Sequence, residues 1–209
     1  MLEFIAARRS ASFLQTPAWA RVKSEWRGER IGFYDGDELT GVGLILYRKL
    51  PKLPRYLAYL PEGPVLDWSR DDIDEHFDAL VAHVKKRQAF AVRVGPAVVH
   101  RMWGTKTIKT AIADDNVTSL TEVAPDAITP EGERVVSVLK RGGWITDNTG
   151  QGFAAGQPQF NFQLSLRHED GTQKSEDELL KGMNQLWRRN IKKAAKLGVE
   201  VKLGTREDL

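Results

Sequence analysis

Hydrophobic residues recur every three or four positions in four segments of the chain, and this spacing predicts four amphipathic helices. The clearest lies between Ser69 and Arg87, with an apolar stripe of Ile73, Phe77, Leu80, Val81 and Val84. Others begin at Thr16-Pro17, where proline suits the first helical position, and at Pro130, ahead of a stop at Gly142-Gly143. The fourth begins at Ser175.

Strands are predicted where apolar and polar residues alternate. Residues 29–34 and 38–47 form a hairpin around Asp35-Gly36-Asp37, and Gly41 and Gly43 in its second strand predict a bulge or a close backbone approach. Further strands are predicted over 56–60, 90–94, 107–113, 157–166 and 199–203. Because strands and helices alternate, we expect an α/β (α+β) fold, a mixed sheet flanked by helices.

The domain organisation is predicted from a polar, glycine-rich segment, 146–156, which is typical of a linker. It divides the chain into a first domain, 1–150, and a segment from 151 to 209. That second segment contains only one strand–helix–strand unit, which cannot bury both faces of its own sheet. We therefore expect it to be the start of a second domain, incomplete in these 209 residues.

The last helix has two contrasting faces. A capping box of Ser175 and Glu178 precedes an apolar stripe of Leu180, Met183, Trp187, Ile191 and Ala194, and Gly198 suits a left-handed C-terminal cap. A cationic face consists of Arg188, Arg189, Lys192, Lys193 and Lys196. It is either a solvated face near the negative end of the helix dipole or a phosphate site, because arginine binds phosphate oxygens bidentately.

Composition excludes several classes of function. The 209 residues are 41% hydrophobic and 28% charged, which is ordinary for a globular protein, and the net charge is only +3. With no cysteine, the chain cannot form a disulfide, a thiolate metal site or a cysteine nucleophile. No apolar stretch is long enough to span a bilayer and no signal sequence is apparent, so we expect a cytoplasmic protein.

Other candidate chemistry is sparse. His76 and His83 lie seven residues apart on one helix without a matching carboxylate, which indicates surface histidines rather than a metal site, and we expect no metal. Trp19 and Trp26 are expected in the core rather than in a base-stacking surface. No Walker, Rossmann or G-x-S-x-G motif is present.

Four segments carry a resemblance to a known family. FLQTPAWARVK near the start, then YLAYLPEGPVLDW, QPQFNFQLSL and LLKGMNQLWRRNIKKAAKLGVEV, resemble the Fem family of peptidoglycan-bridge aminoacyltransferases. The resemblance implies two tandem acetyltransferase-like (GNAT-type) domains, the second truncated here. It also implies transfer of an amino acid from an aminoacyl-tRNA to the stem-peptide amine of a peptidoglycan precursor, without a cofactor.

The resemblance further implies partners and site residues. The partners are aminoacyl-tRNA and either UDP-MurNAc-pentapeptide or a lipid-linked precursor, the latter with peripheral contact at the inner membrane face. Because both substrates carry phosphates, basic residues are expected at both. The candidate substrate-binding residues are Arg21, Lys23, Tyr59, Gly63, Asp67, Arg188, Arg189 and Asn190. Glu62 departs from the basic residue expected ahead of Gly-Pro, and no catalytic residue is identified.

Two other functions remain open. An acetyl-CoA-dependent N-acetyltransferase needs a pyrophosphate loop of the form (Arg/Gln)-x-x-Gly-x-(Gly/Ala) opening a helix, whereas Arg141-Gly142-Gly143 closes one. A non-enzymatic RNA-binding module is supported by the basic final helix, although the net charge of +3 is modest for that role.

Overall fold

The structure, a computed structural model, describes residues 1–8, 11–146 and 158–204. The chain divides into two compact units, one comprising Met1–Pro158 and the other beginning at Gln159. The predicted domain boundary after residue 150, and nearly all of the predicted linker, lie outside the described residues.

The first unit contains a mixed five-stranded sheet. Its strands are β1 (Arg27–Asp35), β2 (Glu38–Lys49), β3 (Tyr56–Leu60), β4 (Val65–Leu66) and β5 (Ala89–Val94). The order is β1-β2-β3-β5, with β4 paired to β2, and only β3 and β5 run parallel. A two-stranded ribbon, β6 (Arg101–Met102) with β7 (Ala127–Ile128), lies apart from it. The predicted mixed sheet is confirmed.

The predicted hairpin is confirmed at its turn and at one of its glycines. Asp35 pairs with Glu38 across a two-residue turn, and Gly36 adopts φ +58°, a conformation that glycine enters without steric cost. At Gly41, a Cβ atom would collide with the Leu66 side chain of β4, so the missing side chain allows the two strands to pair closely.

The core of the first unit lies between the sheet and α3 (Ile73–Lys86). Ile73, Phe77, Leu80 and Val84 are at most 2% exposed, because their spacing puts them on one helix face. They pack with β-strand residues and with α5 (Pro130–Arg141). This confirms the predicted stripe, except that Val81 is only half-buried.

The described part of this unit also contains the α-helices α1 (Leu2–Ala6), α2 (Pro17–Val22) and α4 (Thr105–Ile112). Helix α2 starts at the predicted proline and ends at Val22, because Lys23 has ψ 50° and leaves the helical region. The strand predicted over 107–113 is wrong. Ile108, Ala111 and Ile112 are three and four residues apart, and the helical spacing outweighs the β-branched composition.

The second unit contains two short helices rather than the single one predicted. They are α6 (Glu176–Gly182) and α7 (Gln185–Lys196). The Ser175–Glu178 capping box and the left-handed Gly198 are confirmed. The break arises because Met183 is extended and the Asn184 side chain accepts a 2.9 Å hydrogen bond from the Trp187 amide, which starts a new helix.

The two strands predicted in this unit are not formed in its described residues. Residues 158–166 and 199–203 have irregular backbone, and the only β-type pairing described in this unit is an isolated bridge between Arg167 and Gln173. Alternating sequence gives a strand only where another strand supplies hydrogen bonds. Trp187, expected in the core, is 63% exposed.

Candidate substrate-binding surfaces

Helix α2 delivers its basic residues to the edge of the sheet where β1 begins. Ala20 of α2 packs on Gly28 of β1, and a Cβ at Gly28 would lie 3.0 Å from that of Ala20. Arg21 is exposed, whereas Lys23 is half-buried with its Nζ 5.4 Å from the Trp19 ring. The lysine is therefore held by a cation–π contact at the end of the helix.

Next to Lys23, three side chains from three strands or their ends form a cluster that we call the Trp26 platform: Trp26, Arg48 and Tyr59. The Trp26 and Tyr59 rings are 6.2 Å apart at 52°, and the Arg48 guanidinium lies 5.6 Å from the Trp26 ring. Both aromatic residues are half-buried and Arg48 is exposed. A flat aromatic surface beside cations suits a planar, anionic ligand.

A charged network supports the same end of the sheet. The Glu29 carboxylate accepts hydrogen bonds from the Tyr47 hydroxyl at 2.7 Å, His83 Nε2 at 3.1 Å and Arg87 Nη2 at 2.7 Å. Partial burial opposes ionisation of Glu29, but these hydrogen bonds, above all that from Arg87, lower its pKa to about 2. Burial and the bond to Glu29 raise the pKa of Tyr47. The network thus joins β1, β2 and α3.

Gly63 is buried and occupies a backbone position packed against a side chain. The Gln15 side chain, 0% exposed, donates to the Pro61 carbonyl at 2.6 Å and accepts from the Leu44 amide at 2.8 Å. A Cβ at Gly63 would overlap the Gln15 amide group. The glycine is required here for close packing, and this geometry holds the end of β3 in place behind Tyr59.

Asp67 lies away from the platform. It directly follows Leu66, which pairs with Gly41 of β2, whereas Tyr59 pairs with Leu46. Gly41 and Leu46 are five residues apart along β2, or roughly 17 Å at about 3.4 Å per residue. Of the candidates in the first unit, the structure therefore brings Lys23 and Tyr59 to one end of the sheet and Asp67 to the other.

The surroundings of Asp67 contain both carboxylates and arginines. Hydrogen bonds from Ser69 and the nearby charges of Arg8 and Arg70 lower the pKa of Asp67. At the start of α3, Asp71 pairs with Arg134 and Asp72 pairs with Arg70. A coenzyme A pyrophosphate binds at a helix start through free N–H groups and the positive end of the dipole. Asp74 and Glu75 in the first turn of α3 would repel it. The geometry thus argues against an acetyl-CoA site at the start of α3.

Helix α7 carries the candidates of the second unit, and they divide between its two faces. Arg188 is half-buried and Arg189 exposed, on the side shared with Lys192, Lys193 and Lys196. These five cations recur at one- and four-residue spacing, so they form a continuous cationic surface along the helix. Asn190 instead lines a shallow cleft of about 420 Å³ with Leu186, Trp187, Ile191 and Ala194.

The histidines differ from the expectation of surface residues. His76 is 8% exposed, with Nε2 2.8 Å from the Thr40 hydroxyl and Nδ1 2.9 Å from the Asp72 carbonyl. His83 is half-buried against Glu29. Both are held by structural hydrogen bonds. Across 1–8, 11–146 and 158–204, no three histidine, cysteine or carboxylate side chains are grouped as a metal site would require.

Two residues of the platform were not predicted as candidates. Trp26 is expected in the core and Arg48 is not among the sequence-based candidates, yet the Trp26 ring contacts both the Tyr59 ring and the Arg48 guanidinium. The available signal was positional: Trp26 precedes β1 and Arg48 ends β2, and a hairpin returns these two ends to the same edge.

The fold places the chain among α+β proteins with a mixed sheet flanked by helices. A structure of FemX has this fold, with a TM-score of 0.56 and 22% identity over 93% of this chain and 41% of that one. The family model for the FemAB family matches residues 2–209, so the chain belongs to the FemAB family.

Two curated relatives carry the name lipid II:glycine glycyltransferase. That of Staphylococcus epidermidis is 24% identical over 208 residues, covering 99% of this chain and 42% of the relative. That of Staphylococcus saprophyticus is 33% identical over 98 residues, covering 46% of this chain and 24% of the relative. The chain thus spans less than half the length of these relatives. None of the helices described here is both long and apolar enough to cross a bilayer.

Proposed function

We propose that this chain takes part in transferring an amino acid from an aminoacyl-tRNA to the stem-peptide amine of a peptidoglycan precursor, on the cytoplasmic side of the membrane. The observation that carries the proposal is the match of 99% of the chain to a lipid II:glycine glycyltransferase. The predicted pair of GNAT-like domains, 1–150 and the start of a second from 151, is part of the proposal.

The chemistry needs positioning more than a cofactor. An aminoacyl ester is already activated: the amine nitrogen bonds to the acyl carbon, the ester C–O bond breaks, and the ribose oxygen leaves with the proton that the amine gives up. Holding the amine in line with the carbonyl supplies much of the acceleration. The developing oxyanion needs N–H donors or a cation.

Two cationic surfaces support the proposal that the substrates carry phosphate groups. In the first unit, Arg48 lies beside the Trp26–Tyr59 rings, and Lys23, whose Nζ contacts the Trp19 ring, is joined to Trp26 by a backbone hydrogen bond. This arrangement suits a nucleotide or diphosphate group of the precursor. In the second, Arg188 and Arg189 belong to the cationic surface of α7. Arg21 is an exposed alternative to Lys23. Asp67, at the other end of the sheet, is a candidate only for a cationic part of the substrate, and Gly63 acts through Gln15.

Calorimetric titration with UDP-MurNAc-pentapeptide, and separately with acetyl-CoA, tests this proposal. We expect saturable binding of the precursor, weakened in Arg188→Ala/Arg189→Ala, and no binding of acetyl-CoA. Lys106→Ala/Lys109→Ala on α4 removes the same charge elsewhere and should leave the affinity unchanged. Binding of acetyl-CoA without the precursor would contradict the proposal and favour an N-acetyltransferase.

The cationic surface of α7 also favours a second candidate, an RNA-binding module without catalysis. The two are separated by the same titration followed by one with an uncharged tRNA. A chain that binds RNA but not the precursor supports the second candidate.

A further inference from the structure

The charges of the first unit are separated between the two ends of its sheet. Around the β1–β2 turn and the start of α3 lie Asp35, Asp37, Glu38, Asp71, Asp72, Asp74 and Glu75, an acidic excess in which Arg70 and Arg134 pair with three of the carboxylates. At the opposite end, the β2–β3 loop and the end of α3 carry Lys49, Lys52, Arg55, Lys85 and Lys86, which we call the basic end. The pairing of Tyr56 with Ala89 brings the β2–β3 loop and the end of α3 to the same edge.

The cations of the basic end are exposed and uncompensated. Within the described part of the chain, none of its five members forms an ion pair with a carboxylate. The carboxylate that β1 brings nearest, Glu29, is already bound by Arg87, Tyr47 and His83. Glu25, exposed ahead of β1, is the other acid near this edge. The end therefore presents a strong excess of positive charge on a chain whose net charge is only +3.

An exposed leucine stands at the tip of the basic end. The Leu50 amide donates to the Arg55 carbonyl at 2.9 Å and closes a loop of Pro51, Lys52, Leu53 and Pro54. Leu53 is 57% exposed. The two prolines restrict the backbone of this loop. Holding Leu53 in place on binding therefore costs little further conformational entropy. Because the core of this unit is already formed between the sheet and α3, Leu53 has no interior of its own unit to enter.

We propose that the basic end docks on an anionic lipid surface, with Leu53 entering the headgroup region and the flanking cations contacting lipid phosphates. Cations near an anionic leaflet and a short apolar insertion act together in such peripheral binding. An RNA would also be attracted by the cations, but the aromatic rings of the Trp26 platform are half-buried. The exposed residue at the tip is the aliphatic Leu53, which offers no ring on which a base could stack. The acidic end would face away from the lipid, which orients the unit.

Vesicle co-sedimentation with the whole 209-residue chain tests this inference, which rests on charge and exposure and not on the proposed transfer reaction. We expect binding to vesicles of phosphatidylcholine with 30% phosphatidylglycerol and none to phosphatidylcholine alone. Each cation near the leaflet contributes about a fivefold change in partitioning, so Lys49→Glu/Lys52→Glu should weaken binding at least about 25-fold. Leu53→Ser should weaken it about tenfold.

The matched control is Lys106→Glu/Lys109→Glu on α4, which makes the same charge change and should bind as the unaltered chain does. The rival site is the amphipathic helix α7, tested with Lys192→Glu/Lys193→Glu. The inference is overturned if the unaltered chain does not bind anionic vesicles. It is also overturned if the α7 variant loses binding while the Lys49/Lys52 variant keeps it, or if an RNA oligomer binds the basic end and vesicles do not.

Discussion

Helices α3 and α7 have the same kind of amphipathic pattern and very different surroundings. In α3, the apolar stripe of Ile73, Phe77, Leu80 and Val84 is at most 2% exposed. In α7, Leu186 and Trp187 are 62% and 63% exposed, and no residue in the described part of the second unit is buried. The pattern determines which face of a helix is apolar, whereas burial depends on a sheet being present to pack against.

The difference in burial between α3 and α7 indicates that the two helices have different roles, α3 in stability and α7 in binding. The first unit owes its stability to the packing of α3 on the sheet, and the exposed cations of the basic end take no part in that packing. The described part of the second unit is held by local capping and helix hydrogen bonds, and most of its side chains are available to a partner. We therefore expect substitutions in the core of the first unit to act mainly on folding and those in α7 mainly on binding.

The largest expected effect tests that separation directly. Phe77 packs between Trp68 and Trp144, with ring centroids 6.4 Å and 5.3 Å away. Phe77→Ala leaves a cavity and should lower the free energy of unfolding by about 3–5 kcal/mol. Urea denaturation followed by far-UV circular dichroism measures it. Trp187→Ala is the matched control, and a comparable loss there would break the comparison.

A second test uses two glycines. Gly63→Ala forces a Cβ into the Gln15 amide and should cost about 1–3 kcal/mol, whereas Gly182→Ala in α6 has nothing within 4 Å of the new Cβ and should cost less than about 0.5 kcal/mol. Because the clash is with Gln15, the Gly63 cost should shrink by at least about 0.5 kcal/mol in a Gln15→Ala background. Urea denaturation of Gly63→Ala, Gln15→Ala and the double variant measures this. If the losses of unfolding free energy were simply additive, the packing of Gly63 against Gln15 would be contradicted.

A pH dependence is expected from Glu29. Its pKa in the folded state, about 2, is below the ordinary value of 4.5, so its stabilising contribution is complete above about pH 4.5 and is lost as pH falls towards 2. Allowing for solvent screening, we expect about 1–2 kcal/mol. The unfolding free energies of the unaltered chain and Glu29→Gln should differ most above pH 4.5 and converge near pH 2. If the two curves of unfolding free energy against pH ran parallel, the proposed stabilisation of the Glu29 carboxylate by its hydrogen bonds would be contradicted.

The smallest expected effect sharpens the description of the second unit. Asn184 caps α7 through its side-chain oxygen, so Asn184→Ala should destabilise the start of that helix by about 1 kcal/mol. Amide hydrogen exchange over residues 185–188 should quicken accordingly. Asn190→Ala, the same change in the helix interior, should leave this exchange unchanged, and an equal effect there would rule out the cap.

The sequence was sufficient for the first unit where local signals and burial agree. The hairpin turn at Gly36 and the bounds of β3 and α5 follow from turn glycines, alternation and a proline–glycine pair. Helix α4 was mistaken for a strand because its threonines and isoleucines favour strands while their spacing favours a helix. The break at Asn184 was missed because a capping asparagine inside an apolar repeat leaves the hydrophobic period unchanged.

The candidate site was predicted less completely, for a different physical reason. Lys23 and Tyr59 were identified from the family resemblance, but their proximity depends on the pairing of β1, β2 and β3, which no local pattern encodes. Trp26 and Arg48 complete the platform only once those strands are paired. The strands predicted over 157–166 and 199–203 show the same limit from the other side. An alternating pattern specifies which side of a strand would be apolar, but it does not specify a neighbouring strand to pair with.

Hydrogen–deuterium exchange with and without UDP-MurNAc-pentapeptide tests the central claim most directly, because it reports binding and location together. We predict that the precursor slows amide exchange in β3, Tyr56–Leu60, beside the Trp26 platform, while leaving α4 unaffected. Unchanged exchange at a saturating precursor concentration, or protection confined to the acidic start of α3, would contradict the account.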